Sequence, residues 1–408
     1  MEGTERVRGA MRPFGKLTSY KVALDTALNL CEPVVEAEAV LVSECDGRII
    51  HSDACAPVEV PATDRAAMDG YAVIGEDLHG AGEPVELEVL GRVLAGNLNP
   101  TELQTGQCWE VATGAQLPLG ADTVVPVEQT TCTGSRLMVL KSVEHGAHVS
   151  MRGEDLRKGD VIVAAGGLLT PSAAGALASI GVVNIDVRRR PQVLLVPNGD
   201  ELVPLGQELK PGQVYDSNSV ALQALLEANG ALVRRTPIVR DNPAALVEGV
   251  GVDTIDLVVT LGGTSVGRHD LVLDVVEQMG EVLIHGIAIK PGKPVLIGRI
   301  GEVPIVGLPG FPTSCLFTGY LFAEPMVRTL AGLPLGHRSR TKARLVATVN
   351  SPRGKRQFVS VQVHAGEAAP VYRASSTITS MSRANGWIEI PEESTEFVAG
   401  RHVEVTLF

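Results

Sequence analysis

The chain of 408 residues contains six cysteines but no Cys-x-x-Cys pair. Closely spaced cysteines are the usual signature of a structural zinc site or a disulfide framework. Their absence argues against both kinds of site, and it predicts reduced, buried thiols in a cytoplasmic protein. The six thiols are those of Cys31, Cys45, Cys55, Cys108, Cys132 and Cys315.

An excess of positive charge is also absent, since the formal net charge is -12 at pH 7. A strongly acidic chain repels the phosphate backbone, so no nucleic-acid partner is expected. The amino-terminal residues, MEGTERVRGAMRPFG, lack the apolar core of a signal peptide. Composition therefore predicts a cytoplasmic protein without a nucleic-acid partner.

Charged residues are missing from residues 161–185, a length that a hydropathy window reads as a membrane span. The segment is rich in Ala and Gly, which makes it too weakly hydrophobic for a confident span. Thr170 and Pro171 are typical of a helix start, and Gly181 is typical of a helix end. We therefore expect a short buried helix here and no membrane partner.

The length predicts several domains, because single hydrophobic cores stop growing at about 250–300 residues. Residues 57–151 contain short β-rich runs separated by Gly and Pro, which is typical of a small barrel or sandwich. The mixed helical and extended pattern of residues 1–56 resumes in residues 152–189. The β domain is therefore expected to be inserted into a discontinuous α+β domain.

Buried strands alternate with helices over residues 190–333, where QVLLV, IDLVVTL and VPIVGL are continuous apolar runs. This alternation predicts a doubly wound, mostly parallel sheet with ligands at the carboxyl ends of its strands. Residues 334–408 return to strands and predict a small carboxy-terminal β-barrel. The expected fold class is multidomain α/β.

Three of these strands lead into turns rich in Gly or Pro, namely PNGDELVP, LGGTSVGRHD and LPGFPTS. Such turns free backbone N–H groups, and the carboxyl ends of parallel strands share one edge of the sheet. Three turns at one edge favour an anion site over ordinary tight turns. The expected ligand-binding residues are Gly262, Gly263, Thr264, Ser265, Gly267, Pro309, Gly310 and Ser314.

Two lysines flank a Pro-Gly turn in the stretch IKPGKPVLIG. Lys290 and Lys293 can converge on one multiply charged oxyanion. Two surface lysines in a loop are the alternative. Taken alone, the pair favours that alternative, so the oxyanion site remains a hypothesis at this point.

Acidic residues recur beside the turns. Glu201 follows the first strand exit, Asp241 precedes a helix, and Asp270 ends the glycine turn. Acids at helix starts often serve only the helix dipole. Acids beside a phosphate-binding turn instead favour Mg²⁺, which takes carboxylate and phosphate oxygens. We therefore predict these three acids as metal ligands, with Asp270 holding the metal or orienting the attacking group.

Acidic residues are absent from residues 325–366, which contain eight Lys or Arg. Alternate residues of a strand lie on one face, so alternating basic residues would form a positive surface. Such a surface either gathers anions or is an ordinary solvated face. Four of the basic residues alternate: Arg338, Arg340, Lys342 and Arg344.

Nine motifs occur in the order found in the molybdopterin molybdenumtransferase (MoeA) family, which includes the carboxy-terminal domain of gephyrin. The chain resembles this family over nearly its whole length. The motifs are DRAAMDGYAV, TGAQLPLGADTVVPVE, RGEDLRKGD, NGDEL, VYDSNS, LGGTSVGRHD, IKPGKP, LPGFPTS and RANG.

The resemblance implies an elongated homodimer of four-domain subunits, in which residues 1–56 and 152–189 form a linker or dimerisation domain. It implies a Mg²⁺-dependent transferase that inserts molybdate into adenylyl-molybdopterin, forming molybdenum cofactor and releasing AMP. It also implies a transient contact with the molybdopterin adenylyltransferase. The site residues carried over from the family are Asp69, Thr113, Asp155, Glu201, Asp241, Asp270, Lys290, Lys293 and Ser380.

Three positions depart from the family pattern. The family often has Val in place of Thr264, Asn in place of Phe311, and Arg in place of Ser360. Phe311 and Thr264 are compatible with function and mark a subfamily. Ser360 removes one substrate contact, for which Arg353 or Arg356 can substitute.

Alternatives to molybdate insertion remain open at this point. Tungstate has nearly the same size and charge as molybdate. A gephyrin-like scaffold without catalysis would not require the acids, the lysines and the glycine turns. An isolated α/β domain of the competence-damage type is disfavoured by the flanking β domains and by DRAAMDGYAV.

Overall fold

The computed structural model describes residues 15–79, 84–97, 101–249, 254–264, 270–372, 376–377 and 379–408. The chain divides into two compact units. The first comprises the residues up to 38, residues 47–49 and residues 187–408, and the second comprises residues 39–46 and 50–186. The finer division into four domains stays a prediction.

The first unit is built on a six-stranded sheet. Its strands are β1 (Gln192–Pro197), β2 (Leu232–Arg235), β3 (Leu257–Leu261), β4 (Gly280–His285), β5 (Leu296–Ile300) and β6 (Val303–Leu308). Their spatial order is β2-β1-β3-β6-β5-β4. The first four strands in that order are parallel, and β5 is antiparallel to both of its neighbours.

The sequence of strand β1 is continuously apolar because both faces of the strand are buried. Alternate side chains of a strand point to opposite faces of the sheet, and here helices cover both faces. Val193 and Leu195 belong to the core on one face, and Leu194 and Val196 to the core on the other. The predicted doubly wound, mostly parallel sheet is confirmed.

Helices of the first unit form a layer on each face of the sheet. The first core includes residues of α1 (Tyr20–Asn29), α2 (Ser217–Glu227), α5 (Pro312–Thr318) and α6 (Glu324–Leu330). The second core includes residues of α3 (Pro243–Gly249) and α4 (Leu271–Met279).

Five further strands of the first unit close into a small barrel, because Arg356–His364 pairs with both Glu367–Pro370 and Gly386–Ile390. Arg340–Leu345 and His402–Leu407 complete the ring. The barrel core contains side chains from all five strands, among them Leu345, Val359, Ala368, Ile388 and Val405. The predicted carboxy-terminal barrel is confirmed.

Acidic residues from neighbouring elements pair with much of the basic stretch. The pairs are Arg338 with Glu324, Arg340 with Glu404, Arg344 with Glu367, and Arg356 with both Glu389 and Glu392. These contacts cancel much of the local positive charge. An ordinary solvated face therefore describes this surface better than an anion-gathering one, and the guanidinium of Arg356 is already used within the barrel.

The second unit contains another six-stranded sheet. Its spatial order is Thr123–Pro126, Gly70–Val73, Gln107–Val111, Val85–Val93, Arg136–Val139 and Thr130–Thr133. All described pairings are antiparallel except that of Val85–Val93 with Gln107–Val111. Turn spacing predicted a barrel or a sandwich, whereas one sheet accounts for these strands, with apolar cores formed by its residues.

Shorter elements complete the described chain. The short helical elements are Val42–Glu44, Gly75–Leu78, Val127–Gln129, Gly319–Ala323 and Thr379–Ser382. The remaining strands are Ala37–Leu41, Ala54–Cys55, Arg65–Ala66, Val149–Ser150, Val161–Val163, Asn184–Arg188, Leu202–Val203, Val214–Tyr215, Ile289–Lys290, Val349–Asn350 and Glu396–Phe397.

The uncharged segment contains the helix Pro171–Ser179. Thr170 Oγ1 accepts a hydrogen bond from the backbone N–H of Ala173 at 3.2 Å, which confirms the predicted cap. Leu177 is the only buried residue of this helix, so the prediction of a buried helix is wrong. Within the described ranges, we find no helix whose length and apolar character would carry it across a bilayer.

All six cysteines are free thiols. Four are buried as predicted, but Cys55 and Cys132 are exposed, so the prediction is wrong for these two. Burial raises the pKa of Cys31 and of Cys108 to about 12. These two groups therefore remain protonated and unreactive at neutral pH.

Gly70 of the DRAAMDGYAV motif has a structural reason. An added Cβ would lie 2.1 Å from the backbone oxygen of Val125 on the neighbouring strand. Gly175, in the helix Pro171–Ser179, has no atom within 4 Å of the corresponding position. A methyl group at Gly70 would therefore collide with the neighbouring strand, whereas a methyl group at Gly175 would meet no atom.

Gly70→Ala is expected to lower the free energy of unfolding by about 1–3 kcal/mol, because the sheet must open to admit the methyl group. Gly175→Ala is expected to raise it by up to about 1 kcal/mol through helix propensity. Urea unfolding of both variants measures the two changes. Equal changes of the same sign would contradict the close approach at Gly70.

Candidate functional site

A cavity of about 870 Å³ lies at the carboxyl edge of the parallel strands in the first unit. Residues after β1, β3 and β6 all contribute to its wall, as expected for a doubly wound sheet. The volume is in the range that encloses a drug-sized ligand. The main contributions are Asn198, Gly199 and Glu201 from the first exit, Gly262, Gly263 and Thr264 from the second, and Pro309, Gly310 and Phe311 from the third.

The glycine turn after β3 allows a close backbone approach. Gly262 and Gly263 have φ angles of +99° and +71°, which favour glycine. An added Cβ on Gly262 would lie 2.7 Å from the backbone oxygen of Asn198. The N–H of Gly262 donates to Leu308 at 2.9 Å, so this amide serves the sheet and not a ligand. Ser265 and Gly267, also predicted here, lie outside the described residues.

Glu201 and Asp241 both contribute to the cavity wall. The Glu201 carboxylate lies over Gly199, where an added Cβ would come within 2.7 Å of its Oε2 atom. Asp241 Oδ1 accepts a hydrogen bond from Asn198 Nδ2 at 3.0 Å. The sequence indicated both acids but not Asn198, although this residue stands in the quoted motif PNGDELVP.

Helix α2 and two aromatic side chains also contribute to the cavity wall. Asp216 caps α2 by accepting from the N–H of Ser219 at 3.0 Å. Asn218 Nδ2 donates to the oxygen of Gly310 at 2.8 Å, which ties α2 to the turn after β6. Phe311 and Tyr215 line the same cavity, and both keep substantial exposed surface. The wall therefore offers apolar rings next to polar backbone.

Asp270 occupies a different position from the other two predicted metal ligands. It is 6% exposed and caps α4, with Oδ1 accepting from the N–H of Leu273 at 3.1 Å. Its Oδ2 contacts His285 Nε2 at 2.9 Å. Both oxygens thus make contacts within the fold, so Asp270 also supports the local structure, and its role as a metal ligand stays a prediction.

Glu201 and Asp241 could form part of a coordination shell for Mg²⁺. Among the described residues, no group of three His, Cys, Asp or Glu could hold a metal by itself. Mg²⁺ is commonly bound by one or two carboxylates together with substrate phosphates and water. Glu201 and Asp241, both facing the cavity, can supply that carboxylate share.

The two predicted lysines lie beside the cavity residue Pro294 but are not themselves part of the cavity lining. Lys290 is half-buried and ends the short strand Ile289–Lys290, which pairs with Arg356–Gln357 of the barrel. Lys293 is also half-buried, and its backbone oxygen accepts from Ile287 at 2.9 Å. The Pro-Gly turn therefore sits where the sheet meets the barrel.

Ser314 and Ser380 are buried and likewise lie outside the cavity lining. Ser380 Oγ and Thr377 Oγ1 form a hydrogen bond of 2.8 Å. The Thr377 backbone oxygen accepts from Thr313 of α5. These contacts attach the barrel segment, including the cavity residue Ser376, to the α/β sheet.

The second unit contains Asp69, Thr113 and Asp155. Asp69 Oδ1 accepts from the Thr113 backbone N–H at 2.7 Å and from Thr113 Oγ1 at 2.8 Å. These bonds, the backbone one first, hold the pKa of Asp69 below its ordinary value. Asp155 is exposed, and its backbone N–H donates to Val60 at 3.0 Å. Asp69 and Thr113 therefore form one hydrogen-bonded pair.

Comparison with known proteins yields matches along the chain. Residues 18–181 match the MoeA N-terminal region (domain I and II). Residues 198–329 match a probable molybdopterin binding domain, and residues 342–408 match the MoeA C-terminal region (domain IV).

Individual relatives agree with these matches. Molybdopterin molybdenumtransferase 2 of Mycobacterium tuberculosis is 35% identical over 395 residues, which cover 93% of this chain and 96% of the relative. The molybdopterin molybdenumtransferase of Nostoc sp. is 35% identical over 80% of this chain and 77% of its own. Crystal structures of the molybdopterin biosynthesis MoeA protein from Pyrococcus horikoshii give TM-scores of 0.84 and 0.82 at 36% and 29% identity. They cover 96% of this chain and 99% and 100% of the solved chains.

Thr113→Val is expected to raise the pKa of Asp69 toward its ordinary value, because one of its two donors is lost. The backbone N–H remains, so the rise is partial. A pKa depressed by folding contributes stability above the ordinary pKa, and this contribution is lost as pH falls through the folded pKa. Carboxyl ¹³C NMR titration measures the shift, with Thr113→Ser as the control that keeps the hydroxyl. An unchanged pKa in Thr113→Val would refute the role of Oγ1.

Proposed function

Because the chain belongs to the molybdopterin molybdenumtransferase family, we propose that it transfers molybdenum from molybdate to adenylyl-molybdopterin, releasing AMP. The observation that carries this proposal is the cavity where three strand exits meet three acids, Glu201, Asp216 and Asp241, and two aromatic rings. Its contents match a substrate that joins a phosphoanhydride to planar ring systems.

The acids serve the phosphate end of the substrate. Cleavage of a phosphoanhydride depends on positioning and charge neutralisation more than on a protein nucleophile. Glu201 and Asp241 would hold Mg²⁺, which neutralises charge on the phosphate oxygens when it is bound. Asn198 Nδ2 donates to Asp241 Oδ1, and Gly199 leaves the space that the Glu201 carboxylate occupies. Thr264 and Gly263 border the same part of the cavity.

The aromatic residues serve the ring end of the substrate. Aromatic faces stack on planar rings in offset arrangements. Phe311 is 61% exposed and Tyr215 is 39% exposed, so both rings can contact a ligand. Tyr215 is held by the bond from its hydroxyl to the backbone oxygen of Gln207 at 2.7 Å. Pro309 and Gly310 place Phe311 at the cavity wall.

Molybdate is the second substrate, and as an oxyanion it suits cationic side chains. We assign Lys290 and Lys293 to its capture, with Ser314 and Ser380 supporting the adjoining segment. The sulfurs that take the metal belong to the pterin, so the chain needs no clustered cysteines. Tungstate remains the alternative oxyanion. A scaffold without catalysis is not favoured, because it would not require the acids, the lysines and the glycine turns together.

We further propose a cytoplasmic homodimer of four-domain subunits, with residues 57–151 inserted between residues 1–56 and 152–189, followed by 190–333 and 334–408. In this arrangement Asp69, Thr113 and Asp155 complete the site of the partner subunit. A transient contact with the molybdopterin adenylyltransferase would deliver the substrate. The hydrogen-bonded, ionised Asp69 supports a role in a charged site.

The function is tested by incubating the protein with adenylyl-molybdopterin and either molybdate or tungstate, with and without Mg²⁺. AMP release by chromatography and metal incorporation by mass spectrometry are followed together. Release of AMP coupled to molybdenum incorporation is expected, and it should require Mg²⁺. Absence of both under all conditions would refute the transferase, and incorporation of tungsten alone would select the alternative oxyanion.

Phe311→Ala is expected to raise KM for adenylyl-molybdopterin about tenfold, since aromatic stacking contributes about 1–3 kcal/mol per base. Its kcat should change much less, because stacking on the ring contributes to substrate binding and not to bond cleavage. Phe311→Tyr keeps the stacking face and serves as the control. Steady-state kinetics distinguish the outcomes, and an unchanged KM in the alanine variant would remove Phe311 from the substrate site.

Hybrid dimers test the shared site. Asp69→Ala and Glu201→Ala should each lower turnover sharply, and mixing them should restore activity because a hybrid dimer contains one intact site. Glu201 is preferred over Asp270 here, since Asp270 caps a helix. Mixing each variant with itself is the control. No recovery despite subunit exchange seen by native mass spectrometry would place all the site residues within one subunit.

A further inference from the structure

Asn198 directly follows β1 and lies next to the glycine turn that follows β3. It is 4% exposed, yet it forms part of the cavity wall. Its backbone N–H donates to Leu261 at 3.1 Å, and its backbone oxygen is the atom that an added Cβ on Gly262 would meet. Its side chain lies against Gly263, where an added Cβ would be 2.8 Å from Nδ2 and 2.9 Å from Oδ1.

The two polar atoms of this side chain differ in their surroundings. Nδ2 donates to Asp241 Oδ1 at 3.0 Å. Oδ1 is buried and has no hydrogen-bond partner within the described part of the chain. An unpartnered buried acceptor costs about 1–3 kcal/mol. Leucine has a similar volume and would avoid this cost, so packing alone gives no reason for an asparagine.

We propose that Asn198 is a positioning residue for the transfer reaction, acting through Asp241. This inference rests on the proposed function. The amide N–H fixes one oxygen of the carboxylate, while the glycine turn fixes the amide. Asp241 then presents its other oxygen to the cavity in a constant orientation. The unpartnered Oδ1 lowers the stability of the fold, and the functional gain is a carboxylate that is already oriented for the reaction.

Other charged groups near Asp241 do not perform this task. The backbone N–H of Asp241 lies 3.4 Å from Asp200 Oδ1, a contact that leaves the Asp241 side chain untouched. Arg240 lies 3.5 Å from the same Asp200 carboxylate. Glu201 also faces the cavity, but it carries a like charge. Among the described residues, the amide of Asn198 is the donor that reaches the Asp241 carboxylate.

The test is a double-mutant cycle with Asn198→Leu, Asp241→Ala and the combined variant, assayed for AMP release. Asn198→Leu should lower kcat about 10- to 100-fold, as expected for a residue that orients a ligand or catalytic group. KM should change less than about threefold, and the thermal unfolding midpoint should stay the same or rise. In the Asp241→Ala background the same substitution should have an effect below about twofold.

Two controls accompany the cycle. Thr236→Val also removes a buried oxygen without a partner, Oγ1, from a residue outside the cavity lining, and it should leave kcat unchanged in both backgrounds. Asn198→Asp keeps the shape of the side chain but replaces the donor with an acceptor. It should reproduce the loss of kcat, and it tests the positioning role if Asn198→Leu does not fold.

The possible outcomes distinguish the positioning role of Asn198 from the proposed transferase function. An active parent with non-additive losses at Asn198 and Asp241 supports the positioning role. An active parent with additive losses, or with full activity in the Asn198 variants, overturns this role and leaves the proposed function standing. A parent that releases no AMP overturns the proposed function, and the positioning role with it.

Discussion

The site depends on one constraint, which is that the parallel strands of the first unit are buried on both faces. Such strands can offer polar groups to a ligand only where they end. At that edge the backbones of β1, β3 and β6 leave the sheet side by side, and Gly262 lets the second pass close to the first. The cavity, with Glu201, Asp241 and Phe311 in its wall, lies at this shared edge.

The sequence predicted the sheet and the position of the site because both have one-dimensional signals. Apolar runs such as QVLLV mark strands that are buried on both faces, and a turn after each run marks the ligand edge. Glu201 and Asp241 were indicated because they follow those runs or precede a helix. The barrel was indicated by the return of short strands after residue 334.

Other features depend on partners that the sequence does not place. The carboxylate oxygens of Asp270 contact Leu273 and His285, and the place of Asp270 at the end of the glycine turn does not predict the contact with His285 in β4. The basic residues of 325–366 predict a positive surface from sequence alone. In the structure, Glu404, Glu367 and other acids that are distant in sequence form ion pairs with several of them. Asn198 was overlooked because an asparagine in a turn is common, whereas its buried contact with Asp241 exists only in three dimensions.

The most direct test of this account is a crystal structure of the protein with AMP and Mg²⁺. The account predicts the phosphate beside Glu201, Asp241 and the Gly262–Gly263 turn, with a planar ring against Phe311 or Tyr215. AMP bound elsewhere on the protein, with this cavity empty, would contradict the assignment of the shared strand edge as the substrate site.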